Sequence, residues 1–143
     1  MPSFEYKNHP GEAWLVGVGD TLEEAFAEGA KALFQLMVEI ERIEPHVPTE
    51  IEAQSDRIDT LFVAWLNALI VRKDVDGMVY ARFDPVTIKT IAPDEYRLTA
   101  TAWGEPLDPE RHDPKVDVKA ATYSELRCER TERGYEVECV VDL

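Results

Sequence analysis

From Met78 to the end, the chain follows the two-residue rhythm of β-strands, whereas two earlier stretches repeat at helical spacing. That change of period restricts the fold to one in which helices and strands are segregated along the chain. Leu22, Ala25, Phe26, Leu33, Phe34, Met37 and Ile40 form one apolar stripe, with Glu23, Glu24, Glu28 and Lys31 facing out. Thr21-Leu22-Glu23-Glu24 is a capping box that starts this helix, and Pro45 and Pro48 stop it. Ile58, Leu61, Phe62, Trp65, Leu66 and Leu69 predict a second helix, opened by an N-cap at Ser55-Asp56 and reaching about Arg72.

Before the first helix, Phe4 to Asn8 and Ala13 to Gly19 read as strands joined by the turn His9-Pro10-Gly11-Glu12, with Trp14, Val16 and Val18 on one side. Thr49 to Ala53 alternates as a third strand. Beyond the turn Asp74-Val75-Asp76-Gly77, strands are expected at about 78–84, 86–91, 95–103, 116–130 and 135–142. The expected architecture is α+β, a single domain over residues 1–143: ββαβα, then about five strands, with two helices on one face of a largely antiparallel sheet. Gly104 to Lys115 is a proline-bearing surface excursion long enough to suggest binding. A two-residue turn at Arg133-Gly134 would make Cys128 and Cys139 direct cross-strand partners, reduced in a cytoplasm.

Composition and missing motifs narrow the function. Twenty-nine acids against 15 bases leave a formal charge of −14, which repels phosphate backbones and favours a partner with a basic surface over direct, strong nucleic-acid binding. Neither a basic, apolar leader nor an apolar run long enough to span a bilayer is evident, so a cytoplasmic protein is expected. His9, His46 and His112 all fall in turns, no serine elbow accompanies them, and Gly17-Val18-Gly19 runs into Asp20 instead of a phosphate-binding helix start. Neither a hydrolase nor nucleotide binding by those loops is therefore expected.

The remaining chemistry lies at the chain end. Val140-Val141-Asp142-Leu143 is an apolar strand closing on a side-chain carboxylate and a main-chain carboxylate one residue apart, a possible site for a hard cation. The plainer alternative is a core strand whose last Asp faces water. Lys119, on the strand Val116 to Ser124, is either a solvated lysine or a cation near those acids that holds an anionic partner group. His112, between Arg111 and Asp113, reads by its surroundings as an exposed loop histidine.

Read together, these residues resemble the archease family. The ordered set comprises Tyr6 through Glu12, Gly19-Asp20-Thr21-Leu22-Glu23-Glu24-Ala25-Phe26, the Leu61-to-Leu69 helix with its Trp-Leu-Asn, Trp103-Gly104-Glu105, His112, Val118-Lys119-Ala120 with Thr122-Tyr123, and Val141-Asp142-Leu143. The resemblance implies a small α+β accessory protein of an RtcB-type RNA ligase, which joins RNA ends with GTP and manganese in tRNA splicing and RNA repair. The chain would promote guanylylation and turnover of that ligase without being the ligase. The resemblance also implies a metal site at Glu12, Asp142 and Leu143, with Lys119, His9 and His112 as further functional residues. Where the family has His-Thr-Ala-Asp, this chain has His9-Pro10-Gly11-Glu12, so its carboxylate sits one methylene further out. An all-oxygen set suits calcium, or magnesium or manganese, better than zinc. The alternative is a metal-binding or chaperone-like interaction module with no ligase role.

Overall fold

The computed structural model describes all residues, Met1–Leu143. In chain order the elements are β1 (Ser3–Lys7), β2 (Ala13–Gly19), α1 (Leu22–Met37), β3 (Val47–Ser55), α2 (Ile58–Asp76), β4 (Met78–Ala92), β5 (Glu95–Pro106), a one-turn α3 (Pro109–His112), β6 (Ala120–Ala121), β7 (Arg127–Thr131) and β8 (Gly134–Asp142). The α+β class is as expected, but the strands form two antiparallel sheets instead of one. The first runs β1-β2-β8-β6, with β7 also on β8, and the second runs β3-β5-β4. Helix α1 packs on β2 and β4, bridging the two sheets, while α2 lies on β3 and reaches β6. A single core of 31 buried residues joins them, centred on Phe26, Phe34, Phe62, Trp65, Tyr80 and Phe83. No helix is long and apolar enough to cross a membrane.

Local chemistry explains most boundaries. The Thr21 hydroxyl accepts from Glu24 N at 3.1 Å and Glu24 Oε1 accepts from Thr21 N at 3.1 Å, closing the capping box. Thr21→Ala is expected to cost about 1 kcal/mol; an unshifted denaturant midpoint would contradict that role. The start of α2 differs from expectation, since its N-cap is Arg57, which makes no side-chain cap bond. The helix also runs through Asp74 to Asp76, and Gly77 ends it in the left-handed conformation that glycine tolerates best.

Strands expected at 78–84 and 86–91 are one strand that kinks through irregularities near Tyr80 and between Phe83 and Val86. The strand expected over 116–130 is instead two short pieces, β6 and β7, because Thr122 to Leu126 loops out between them. The β7–β8 turn also falls one residue earlier than expected. Thr131 faces Gly134, so Cys128 lies opposite Val137, not Cys139. Both cysteines are free, and burial pushes their thiols up to about 11 and about 12.

Trp14, Val16 and Val18 do share one side of β2, but that side faces away from the helices. Helix α1 lies over Gly17, where a Cβ would stand 2.3 Å from the Ala25 carbonyl, so glycine is what lets helix and strand touch. The outer face is closed by charge. Val16, Val18 and Val140 are at most 1% exposed. Around them Lys7 and Arg127 hold Glu138, at 3.2 and 3.7 Å, while Arg133 spans Glu5 and Glu136.

Candidate functional site

The register between β2 and β8 builds the end of the first sheet. Ala13 faces Val141 and Trp14 faces Val140; Glu12 lies in the turn just before β2 and Asp142 is the last residue of β8, so both adjoin the end of this ladder. On the other side of β8, Ala120 faces Asp142 and the Lys119 N–H donates to the Asp142 carbonyl at 2.9 Å. The backbones of residues far apart in sequence, Glu12, Asp142, Leu143 and Lys119, thus come to one sheet end, though no ion pair or hydrogen bond joins their side chains. Asp142, Leu143 and Lys119 are exposed and Glu12 is half-buried.

His9 belongs to the same end. Its Nδ1 lies 3.4 Å from Glu12 Oε1 without the alignment of a hydrogen bond, leaving that nitrogen buried and unpartnered. The Trp14 ring beside it, 6.3 Å between centroids, also has an unpartnered Nε1, and the Lys7 ammonium lies 5.0 Å from the Trp14 ring. None of the molecule's four grooves is lined by Glu12, Asp142, Leu143 or Lys119. What binds here meets an open rim, not a substrate cavity.

His112 corrects its expectation. It is fully buried, because Glu105 at the end of β5 and the backbone of α3 close over it. Nδ1 accepts the Asp108 N–H at 2.8 Å, so Nε2 is the nitrogen that carries hydrogen and donates to Glu105 Oε2, also at 2.8 Å. Glu105 further accepts the Glu44 N–H at 2.7 Å and pairs with Arg111. The His112 ring therefore meets this chain, and its contribution is to fix the Gly104-to-Lys115 excursion. His112→Ala is expected to cost about 3 kcal/mol by stranding the Asp108 N–H, taking one hydrogen bond from the Glu105 carboxylate and leaving a cavity in place of a fully buried ring; a loss under about 1 kcal/mol in chemical denaturation would refute the clamp.

Two buried carboxylates give the fold an acid limit. Burial works to raise the Glu105 carboxyl, but the Glu44 N–H, His112 and Arg111 outweigh it and hold it below its ordinary range. Arg133, then Thr131, lowers Glu136. A carboxyl lowered on folding stabilises fully above its unfolded pKa, and that contribution disappears as pH falls through the folded value. Stability is therefore expected to drop below about pH 4, more shallowly in Glu136→Gln than in the parent. Identical acid unfolding curves for the two would contradict this.

Two features escaped the sequence. Asn67 of α2 bonds the backbone of Ala121 through both ends of its carboxamide. Its signal was a lone amide within an apolar helical run, Trp65-Leu66-Asn67-Ala68-Leu69. Glu138 is the other: it is only 2% exposed and pairs with Lys7.

Comparison with known proteins agrees with this architecture. A sequence profile of the archease protein family matches residues 4–143. Protein archease of Pyrococcus abyssi is 37% identical over 134 residues, covering 94% of this chain and 93% of that protein. Protein archease of Methanopyrus kandleri is 35% identical over the full length of both chains, 100% of each. The solution structure of Methanobacterium thermoautotrophicum protein 1598 superposes with a TM-score of 0.82 at 26% identity, over 99% of both chains. The Thermotoga maritima crystal structure, described as an archease and possible chaperone, shares the fold with a TM-score of 0.57 at 18% identity, over 97% of this chain and 96% of that one.

Proposed function

The chain belongs to the archease family, and we propose that it is an accessory protein of an RtcB-type RNA ligase, promoting guanylylation and multiple turnover of the ligase without joining RNA ends itself. The observation that supports this reading is the β2–β8 register, which sets the turn carrying Glu12 at the same sheet end as Asp142, whose carbonyl accepts the Lys119 N–H. Glu12, Asp142 and the Leu143 carboxylate would hold a divalent cation there. The donors fit in kind, being hard oxygens suited to calcium, with magnesium or manganese as alternatives.

The fit is open in number. No group of three or more His, Cys, Asp or Glu side chains is placed to hold a metal ion, so the two side-chain carboxylates would leave most of a calcium shell for the Leu143 carboxylate, water and a partner's oxygens. A bound divalent cation would supply positive charge for phosphate oxygens at an otherwise acidic rim. Glu12 and Asp142 would provide that rim, with the exposed Lys119 as a cation at the same sheet end. The formal charge of −14 supports a basic protein surface as the partner.

The test is a multiple-turnover ligation assay with the cognate ligase, with and without this protein, alongside a pull-down between the two. Stimulated turnover with co-purification is expected. Failure of both would remove the ligase role and favour a chaperone-like or metal-binding module. That second reading draws on the altered turn His9-Pro10-Gly11-Glu12.

A further inference from the structure

Strand β6 is only Ala120–Ala121, yet it carries Lys119 to its place against Asp142. In an antiparallel ladder, alternate residues turn their N–H and C=O toward one neighbour and the next residues turn theirs to the other side. Thr122 N–H bonds Val140 O at 3.0 Å, toward β8, so the Ala121 groups face away from β8, where the sheet has no further strand. Ala121 is 6% exposed, so water does not serve those groups readily. Asn67 takes the place of the missing strand. Its Oδ1 accepts the Ala121 N–H at 2.8 Å and its Nδ2 donates to the Ala121 carbonyl at 3.3 Å, as a peptide group would.

From the chain's other side the approach to Lys119 is tethered by Lys115 N–H to Met37 O at 2.8 Å and Lys73 to Asp117 at 2.7 Å. Beyond Asp117, only the Val118 side chain, which is fully buried, and the β6 ladder hold the backbone. We infer that Asn67 is the positioning residue for Lys119: its carboxamide clasps Ala121 against the end of β8 and so fixes the Lys119 backbone on the Asp142 carbonyl at that sheet end. This inference rests on the proposed role of that sheet end in ligase stimulation. Asn67 touches neither ligand nor partner in it, and acts only through the backbone of β6.

Asn67→Leu keeps the side chain's bulk and removes both bonds, while Asn67→Asp keeps the acceptor for Ala121 N–H and sets a carboxylate oxygen against the Ala121 carbonyl. Each would be assayed beside Lys119→Ala for ligase stimulation well below its melting temperature, with hydrogen exchange read at the Ala121 amide. Asn67→Leu is expected to lose about tenfold in stimulation, as for an outer group that orients a working residue, with fast exchange confined to β6 and its neighbours. Asn67→Asp should fall between Asn67→Leu and the parent, with the Ala121 amide still protected. The doubly substituted Asn67→Leu/Lys119→Ala should be no worse than Lys119→Ala alone, a result that general loosening of the fold would not produce. Parent-level stimulation by Asn67→Leu, or by Asn67→Asp should the leucine variant not fold, overturns the inference if Lys119→Ala is impaired. If Lys119→Ala itself stimulates fully, it is the underlying reading of the site that fails, and the inference with it.

Discussion

Asp142→Ala is expected to abolish both calcium-dependent thermal stabilisation and ligase stimulation while the protein stays folded. Asp142 is exposed at the last position of β8, so its side chain holds no core together, and its backbone bonds to Lys119 and the β6 ladder survive substitution. Removing the Asp142 carboxylate takes one acid from a molecule of formal charge −14 and would leave Glu12 as the lone side-chain ligand. Extending the chain past Leu143 should impair the same two properties, because the terminal carboxylate becomes a peptide group. An extension at Met1 should not. The measurement is a thermal-shift titration with calcium and manganese beside the ligation assay, on the parent, Asp142→Ala and the C-terminally extended form. If all three respond alike in both assays, no cation site exists at this end.

Gly104→Ala should have the largest effect on folding, a loss of about 4 kcal/mol or more, enough to unfold many domains of this size. Gly104 is buried in the central strand of the second sheet, facing Val47 on one side and Tyr80 on the other. A Cβ there would sit 1.8 Å from the Val79 carbonyl oxygen and 2.8 Å from Tyr80 Cα. These are backbone atoms at the point where β4 breaks register between Tyr80 and Arg82, so no side-chain rotation relieves the clash. Glu105, the anchor of His112, is the next residue, so any shift of the strand also disturbs the clamp. A denaturant midpoint within error of the parent would show that the strand crossing is looser than the structure has it.

How much of this was legible in the sequence depended on distance along the chain. The Thr21 capping box is settled within four residues, and it stands as read. The apolar stripe of α1 is likewise local. By contrast, His112 sits among Arg111 and Asp113 and looks solvated until Glu105 arrives from β5 and Glu44 from the loop beyond α1. The partner of Glu138 likewise comes from far away, since Lys7 belongs to the opposite end of the chain. For β2 the alternation was right, but which side faced the helices was hidden in Leu15 and Gly17, because close helix packing favoured the side with less bulk. At the candidate site, Asp142 and Lys119 were visible as residue types. That the turn carrying Glu12 adjoins the same sheet end rests on a strand order that local periodicity does not encode, and Asn67 had no partner to announce it until β6 was in place.

The placement of Cys128 makes the outer hairpin of the first sheet a chemical recorder of its own alignment. Cys128 lies opposite Val137, so Cys139 is its diagonal neighbour at about 7–8 Å, beyond ordinary disulfide reach. Sliding β7 by two residues along β8 would leave every side chain on its present face and bring the two sulfurs directly opposite each other. Oxidation would then trap the slipped pairing covalently, while the native pairing leaves both thiols free. Counting thiols after mild oxidation thus reports how often this edge strand changes register, without any label being added to the protein.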